Sequence, residues 1–163
     1  MLPLDGMYIS RRLRRTLGSG KFTVRANTAF KEVLNGCATG HGREHGTWLT
    51  PDMIEAYTRL HEVGHAHSVE TWYEGQLVGG VYGVAIGGLF SAESMFYRER
   101  DASKVALARL VEHLSARGYA LLDVQQWTPH TGRLGVVEIS RREYLKRLAV
   151  AVEMPVSFGD FKD

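Results

Sequence analysis

The feature that most constrains the fold is a succession of strand-like segments that leads into one long amphipathic helix. The strand-like segments are Ala66 to Tyr73, Gln76 to Ile86 and Leu89 to Phe96. Glu74-Gly75 predicts a tight hairpin turn, and the helix Ala102 to Arg117 is expected to end at Gly118. A fourth strand, Tyr119 to Gln125, follows the helix. The order predicts a mixed α/β sheet, in which an antiparallel meander is joined by a helical crossover to a parallel strand.

Further elements are predicted on either side of this block. They are a strand at Phe22 to Arg25, a helix from Asn27 to about Cys37, a helix that begins after Thr50, a short strand at Val136 to Ile139, and a helix from Ser140 to about Val150. Ala38 to Gly46 reads as a polar loop, and Thr128 to Gly132 as a loop with a turn of helix. No regular structure is predicted after Pro155.

Composition is that of one globular domain. The chain has 163 residues, of which 44% are hydrophobic and 23% charged. The longest apolar run, Leu77 to Phe90, is interrupted by five glycines and suits buried strands, so no membrane span is expected. Met1 to Asp5 lacks the features of a signal peptide, and the single cysteine, Cys37, permits no internal disulfide. These features favour a cytoplasmic location.

Positive charge is concentrated in two places although the net charge is only +2. One cluster comprises Arg11, Arg12, Arg14 and Arg15, and the other comprises Arg141, Arg142, Lys146 and Arg147. Such clusters can bracket a phosphate backbone. Solvated surface charge is the alternative for either cluster taken alone.

The letters His61-Glu62-Val63-Gly64-His65 match the H-E-x-x-H motif of zinc peptidases. That motif needs both histidines on one continuous helix, with the glutamate activating a metal-bound water. Here Gly64 is expected to end the helix between them, so that His61 points inward near the helix end and His65 opens the next strand. His67 could supply a third imidazole by spacing alone. Structural histidines are nevertheless favoured over a metal site.

Polar residues inside apolar strands are the best candidates for chemistry, because burying them unpaired costs free energy. Glu93 interrupts the third strand of the meander, and alternation puts Asp123 and Gln125 on one face of the fourth. A carboxylate beside a carboxamide can accept a proton from an amine and donate to an oxyanion, which suits acyl transfer. The alternative is that both side chains cap loop backbone at a strand end. Cys37 is a weaker candidate for a nucleophile.

A family resemblance rests on motifs distributed over nearly the whole chain. The motifs are Gly46-Thr47-Trp48-Leu49-Thr50, Ala56-Tyr57, Leu60-His61, Gly64-His65-Ala66-His67-Ser68-Val69-Glu70, Trp72, Leu77-Val78-Gly79-Gly80, Tyr82-Gly83-Val84, Glu93-Ser94-Met95-Phe96, Ala102-Ser103-Lys104, Asp123-x-Gln125, His130-Thr131 and Leu134-Gly135. Together they closely resemble the leucyl/phenylalanyl-tRNA–protein transferase family from about Leu2 to Leu148. The run from Gly64 to Ser68 is the most specific part.

The resemblance implies an aminoacyltransferase with the fold of the N-acetyltransferases. Such an enzyme moves leucine or phenylalanine from its tRNA to the α-amino group of proteins that begin with arginine or lysine, in the N-end rule pathway of protein degradation. No metal or nucleotide cofactor is implied.

The resemblance also implies roles for individual residues. Asp123 and Gln125 match the catalytic pair, Glu93 matches a substrate-holding glutamate, and Trp48 and Tyr57 match residues that line the adenosine and aminoacyl end. To these we add Met95, Phe90 and Leu122 as the expected apolar pocket for the transferred side chain.

Members of this family normally carry more sequence before the point that Met1 matches. Residues 1–46 are therefore expected to be the remnant of a small N-terminal α/β subdomain with its junction, and 47–163 the acyltransferase-like domain. A non-catalytic tRNA- or degron-binding remnant stays an alternative function. An acyl-CoA N-acetyltransferase is disfavoured, because the segment before the long helix, Tyr97 to Asp101, has no glycine and contains two acids.

Overall fold

The structure is a computed structural model that describes residues 1–40 and 47–161. Its helices are α1 (Arg11–Leu17), α2 (Phe30–Thr39), α3 (Pro51–Glu62), α4 (Ala102–Arg117), α5 (Pro129–Gly132) and α6 (Arg141–Ala151). Its strands are β1 (Thr23–Ala26), β2 (Ala66–Tyr73), β3 (Gln76–Ile86), β4 (Leu89–Tyr97) and β5 (Leu121–Asp123). The expected order of strands and helices from residue 66 onward is confirmed, whereas α1 was not anticipated.

All five strands form one sheet in chain order. β1 to β4 pair in antiparallel fashion, and β5 lies parallel to β4 after the crossover through α4. The predicted meander with a parallel fourth partner is therefore confirmed. β1 belongs to the same sheet as β2, so residues from the first forty contribute to one common core. The expected boundary between residues 46 and 47 borders on 41–46, outside the described residues, and stays a prediction.

Two neighbouring glycines of β3 show how the sheet is covered on both faces. A Cβ at Gly79 would lie 2.6 Å from the Cβ of Ala102 in α4, and a Cβ at Gly80 would lie 3.0 Å from Val33 in α2. Because successive residues of a strand point to opposite faces, α4 and α2 cover opposite faces of the sheet. α4 approaches the backbone at Gly79 too closely for a side chain there, and α2 packs tightly against Gly80.

Three hydrophobic clusters result from this layering. The largest lies between the sheet and α4 and includes Val69, Val81, Leu110 and Leu114. A second, under α2 and α3, is built on Phe30, Val33, Leu34 and Tyr82 and contains the buried Cys37. A small third cluster joins Leu89 and Leu121 to α6. The predicted inner face of α2 and the structural environment of Cys37 are both confirmed.

The start of α2 differs from the prediction. Asn27 has a positive φ of 60° and does not cap the helix, which begins at Phe30. The carboxylate of Glu70, buried in β2, instead accepts hydrogen bonds from the amides of Thr28 at 3.0 Å and Ala29 at 3.1 Å. It also accepts from the hydroxyls of Ser68, at 2.7 Å, and Thr28. A carboxylate of β2 therefore holds the two residues that lead into α2, an arrangement that the local sequence does not reveal.

The end of α3 is as predicted. Gly64 has a φ of 81° and donates its amide to His61, while the amide of His65 donates to Leu60 at 2.8 Å. These two bonds form a Schellman ending with glycine at the left-handed position. β2 spans Ala66–Tyr73, which is the predicted range, and His65 lies just before it instead of opening it.

The C-terminal part differs from the prediction at two of the expected strands. Val136 to Ile139 is not a strand; Val137 instead exchanges backbone hydrogen bonds with Met1. β5 ends at Asp123 because Gln125 has a φ of 67° and turns the chain away. The turn of helix α5 and the start of α6 at its Ser140 cap are confirmed. The tail has no regular structure between 155 and 161, although Phe158 is buried.

Among the described residues, no helix is both long and apolar enough to cross a bilayer.

Candidate functional site

The site lies where β4 and β5 stop pairing. The parallel ladder joins Leu89 to Leu121 and ends at Ser91 and Asp123, although β4 continues to Tyr97. One edge of β4 is therefore left open from Ala92 onward, next to the carboxyl end of β5. Openings of this kind, at the carboxyl ends of parallel strands, are where α/β proteins commonly hold their ligands.

Asp123 sits at this opening with both carboxylate oxygens engaged. Oδ1 accepts from the backbone amide of Gln125 at 2.9 Å, and Oδ2 accepts from the hydroxyl of Tyr144 at 2.6 Å. Burial, together with the hydrogen bond to Asp123, raises the pKa of Tyr144 to about 12, so its hydroxyl stays protonated as a donor. The carboxylate is thereby fixed in orientation and keeps lone pairs for a further donor.

Gln125 lies beside Asp123, but the expected reason is wrong. Strand alternation does not reach Gln125, because the strand has already ended; the tight turn held by Asp123 brings the two together. Asp123 therefore does cap loop backbone, and it also lies next to Gln125. The amide nitrogen Nε2 of Gln125 reaches across to β4, where it donates to Ser91 at 3.3 Å and Glu93 at 3.2 Å.

Glu93 links the two sides of the opening. Its Oε1 accepts from the hydroxyl of Ser91 at 3.0 Å, while Oε2 faces Gln125. The pKa of Tyr57 is raised to about 12, mainly by burial. The negative charge of Glu93 and a hydrogen bond to Glu93 act in the same direction. The ring of Tyr57 contacts Trp48 edge-on at 6.3 Å, and the indole of Trp48 is 46% exposed. The structure therefore connects Asp123, Gln125, Glu93, Tyr57 and Trp48.

The three expected pocket residues share the cluster between the sheet and α4. Phe90 and Leu122 are direct neighbours across the β4–β5 ladder, with 1% and 0% of their surface exposed, and Met95 packs against the same cluster half-buried. The structure brings the three together beside the opening. Phe90 and Leu122 are closed off from solvent, so a transferred side chain could reach them only if the strands part further.

A cleft of about 520 Å³ opens on the α6 side of Asp123. Its walls include the side chains of Asp123, Gln125, Trp127, Glu138, Arg141 and Tyr144. Arg141 belongs to the second basic cluster predicted from the sequence, and the structure puts it next to the carboxylate–carboxamide pair.

The first basic cluster lies on α1. Arg11, Arg14 and Arg15 are exposed, while Arg12 forms an ion pair with Asp101 at 2.9 Å. Asp101 also contacts Lys104 at 3.4 Å, and Glu99 pairs with Lys21 at 3.0 Å. Both acids before α4 are thus held in ion pairs with neighbouring cations.

The histidines of the zinc-like motif have structural partners. His61 stacks on Phe30 with ring centres 4.2 Å apart and donates from Nδ1 to the carbonyl of Ala66 at 2.8 Å. His65 is exposed beyond the helix end. His67 stacks on Phe158 at 4.1 Å, and burial lowers its pKa to about 4. Within residues 1–40 and 47–161, no group of three potential ligands is arranged to hold a metal ion.

Comparison with known proteins decides between the remaining families. The family model for leucyl/phenylalanyl-tRNA protein transferase matches residues 1–149. The chain belongs to this family. A relative of that name from Chlorobaculum parvum is 47% identical over 158 residues, which is 97% of this chain and 81% of the relative. Another, from Nitratidesulfovibrio vulgaris, is 50% identical over 163 residues, or 99% and 70% of the two chains.

A third member of the transferase family, from Solidesulfovibrio magneticus, is 53% identical over 146 residues, covering 89% of this chain and 59% of that protein. The expected family, and with it the expectation of an aminoacyltransferase, is therefore confirmed. His61 to His65, which match the zinc-peptidase motif, thus occur in a family whose name describes aminoacyl transfer and not peptidase activity.

Solved structures support the fold of this family member. An aminoglycoside acetyltransferase from an uncultured soil metagenomic sample superposes with a TM-score of 0.52 at 18% identity, covering 73% of this chain and 93% of that one. A ribosomal-protein-alanine N-acetyltransferase from Brucella melitensis biovar Abortus superposes with a TM-score of 0.50 at 16% identity, covering 73% and 94%. The expected N-acetyltransferase-like sheet is confirmed, and at these identities the likeness concerns the fold alone.

Sequence reasoning did not find Tyr144 and Ser91. Tyr144 lies in a helix that follows β5 by seventeen residues, and nothing in its local pattern points to Asp123. Ser91 did carry a signal, because it precedes Glu93 by two residues, a spacing that puts side chains on one face of a regular strand; in the structure the two side chains are hydrogen-bonded although the β3–β4 ladder shifts register at Glu93.

Proposed function

We propose that this chain transfers leucine or phenylalanine from aminoacyl-tRNA to the α-amino group of proteins that begin with arginine or lysine, which marks them for degradation by the N-end rule pathway. Asp123 and Gln125 are the catalytic pair, and Glu93 holds the reacting groups. The observation that carries the proposal is the hydrogen-bonded link from Asp123 through Gln125 to Glu93 across the β4–β5 opening.

The aminoacyl ester is already activated, so no serine or cysteine nucleophile is needed. The acceptor nitrogen attacks the ester carbonyl, a carbon–nitrogen bond forms, and the bond from that carbon to the ribose oxygen breaks. The free lone pairs of Asp123 accept the proton that the nitrogen loses, and this proton passes to the departing ribose oxygen. The hydrogen bonds from Nε2 of Gln125 to Ser91 and Glu93 are long, at 3.3 and 3.2 Å. During the reaction one of them is replaced by a hydrogen bond from Nε2 to the developing oxyanion.

The two sides of the opening suit different parts of the donor. Trp48 and Tyr57 offer aromatic surface to the terminal adenosine, since base–aromatic stacking needs an exposed ring such as that of Trp48. The transferred side chain enters between the strands toward Met95, Phe90 and Leu122. This entry requires β4 and β5 to part beyond the position in which Phe90 and Leu122 are buried.

The donor body is held by the exposed cations of α1, Arg11, Arg14 and Arg15, with Arg12 nearby. Such contacts release counterions from the RNA, so affinity should fall steeply with salt. The reaction takes place in the cytoplasm, where aminoacyl-tRNA is available.

The test uses Phe-tRNA and a peptide with N-terminal arginine. The wild-type chain should form the new amide bond, and Asp123→Ala should abolish product while Phe-tRNA binds with unchanged affinity. Asp5→Ala, which removes an exposed carboxylate away from the opening, is the matched control and should keep full activity. Thermal melting of each variant checks that the fold is intact.

Two results would contradict the proposal. If the wild-type chain binds Phe-tRNA but forms no product, a non-catalytic binding role is the better interpretation. If Asp123→Ala retains activity with an unchanged melting curve, the assignment of the catalytic pair is wrong.

A further inference from the structure

We propose that the cleft between α1, α4 and α5 holds one nucleotide of the single-stranded 3′ end of the donor tRNA, with Arg133 as the cation that meets its phosphate. This inference rests on the proposed function, in which the exposed arginines of α1 hold the body of the same tRNA. That function leaves open how the strand runs from α1 to the reaction centre.

The cleft lies between α1 and the reaction centre. It has a volume of about 510 Å³ and is bounded by Ser10 and Leu13 at the start of α1 and by Gly132 of α5. A Cβ at Gly132 would lie 2.7 Å from Nε1 of Trp127, and Trp127 lines the neighbouring cleft together with Asp123. A strand that leaves α1 for the reaction centre therefore passes this cleft.

The fully charged side chains that line the cleft, among the residues that the structure describes, are two cations, Lys104 and Arg133. The guanidinium of Arg133 is exposed and forms no hydrogen bond or ion pair with any described residue. Lys104 contacts Asp101 at 3.4 Å, but Asp101 also pairs with Arg12, so this one acid faces two cations. The resulting excess of positive charge favours an anionic occupant.

The cleft also has an apolar part, which suits a nucleotide better than a free inorganic anion. Leu13 and Leu134 belong to the cluster between the sheet and α4 and line the cleft from below. A ribose or a base can lie on them while its phosphate meets Arg133. The hydroxyl of Ser10 accepts from the amide of Leu13 at 3.1 Å and keeps its hydrogen for a phosphate oxygen, and the exposed imidazole of His130 offers a further N–H.

A titration with a trinucleotide tests the site without relying on turnover. The whole chain, isotope-labelled for NMR, receives either 5′-phosphorylated CCA, the sequence with which tRNAs end, or adenosine. The trinucleotide should shift the amide signals of Arg133, Leu134 and Gly135, and adenosine should not. Arg133→Gln should weaken trinucleotide binding about fivefold. It should also reduce the slope of log K against log salt by about 0.7, the value for one phosphate contact on a single strand.

Two variants serve as controls. Arg133→Lys keeps the charge and should restore most of the affinity that Arg133→Gln loses. Lys31→Gln removes an exposed cation from α2, on the opposite face of the sheet, and should bind like wild type. Unmoved signals of the cleft amides in wild type, or an unchanged affinity in Arg133→Gln, would overturn the site.

Coenzyme A is titrated in parallel, because it combines phosphates with a nucleoside as the trinucleotide does. Weaker binding of coenzyme A than of the trinucleotide supports the RNA strand as the occupant. Tighter binding of coenzyme A at the same amides would reject that assignment.

Kinetics with Phe-tRNA and the arginine peptide separate this inference from the proposed function. Arg133→Gln should raise the KM for Phe-tRNA about fivefold and leave kcat and the KM for the peptide unchanged. Binding of the trinucleotide at the cleft of a chain that forms no product would uphold the site and reject the proposed function. Product formation with an unchanged KM for Phe-tRNA in Arg133→Gln would uphold the function and reject the site.

Discussion

The hydroxyl of Tyr144 lies 2.6 Å from Oδ2 of Asp123 and donates a hydrogen bond to it. The two residues come from different elements, α6 and the end of β5, so this bond ties the last long helix of the chain to the proposed reaction centre. A fixed donor on this carboxylate sets the direction of its remaining lone pairs.

Tyr144→Phe should lower kcat about tenfold, because a hydrogen bond to a charged group contributes about 1.5–3 kcal/mol. The KM for Phe-tRNA should not change. Tyr8→Phe, at an exposed tyrosine, is the control. An unaltered kcat in Tyr144→Phe would mean that the hydrogen bond has no catalytic role.

Glu70→Gln should destabilise the protein by about 2–3 kcal/mol. Glu70 is fully buried and accepts from Thr28, Ala29 and Ser68, and a carboxamide replaces one of its acceptor oxygens with a donor. Urea denaturation gives the change. Glu32→Gln, an exposed acid in the first turn of the same helix, should cost only a few tenths of a kcal/mol. Similar losses for both variants would show that the buried contacts contribute little.

Gly64→Ala should cost about 1 kcal/mol of stability, because the left-handed backbone at φ 81° disfavours any residue with a Cβ. No neighbouring atom would obstruct the new methyl group, so the effect isolates backbone strain. Gly18→Ala is the comparison: this glycine also ends a helix, but its φ is −88° and alanine should be tolerated. Urea midpoints of the two variants provide the measurement, and equal stability would argue against the glycine-dependent helix end.

The stability of the protein should decrease as the pH falls from about 6.5 to about 4. Burial lowers the pKa of His67 to about 4, so in this interval the unfolded chain binds a proton that the folded chain does not. His113, whose pKa burial also lowers, acts in the same direction. His67→Phe keeps a ring against Phe158 and should flatten the dependence of melting temperature on pH. A slope identical to that of wild type would assign the effect to other groups.

Zinc should not bind stoichiometrically to the purified chain, and a chelator should leave its melting temperature unchanged. The reason is that Nδ1 of His61 donates to the carbonyl of Ala66 and the ring of His61 stacks on Phe30. In addition, the helix ends before His65, so the two histidines do not lie on one continuous helix. Elemental analysis provides the measurement. One zinc per chain that is lost in His61→Ala would contradict this account.

Much of the fold could be predicted because it depends on short-range patterns. The hairpin at Glu74-Gly75, the end of α3 at Gly64 and the cap of α6 at Ser140 each follow from residue types within a few positions. The errors arose where distant residues override local preference. Asn27 was expected to cap α2, but its φ is 60° and the two residues that follow it are held by Glu70 of β2, which no local pattern could indicate.

The sequence by itself determined the order of the elements, the family, and the residue types at the proposed site, because alternation, capping and specific motifs are written in consecutive residues. Only the tertiary structure decided how Asp123 meets Gln125, through a turn instead of a shared strand face, and that Tyr144 and Glu93 flank them. The physical reason is that these contacts depend on where β4 and β5 stop pairing and on how α6 packs, which are properties of the assembled sheet.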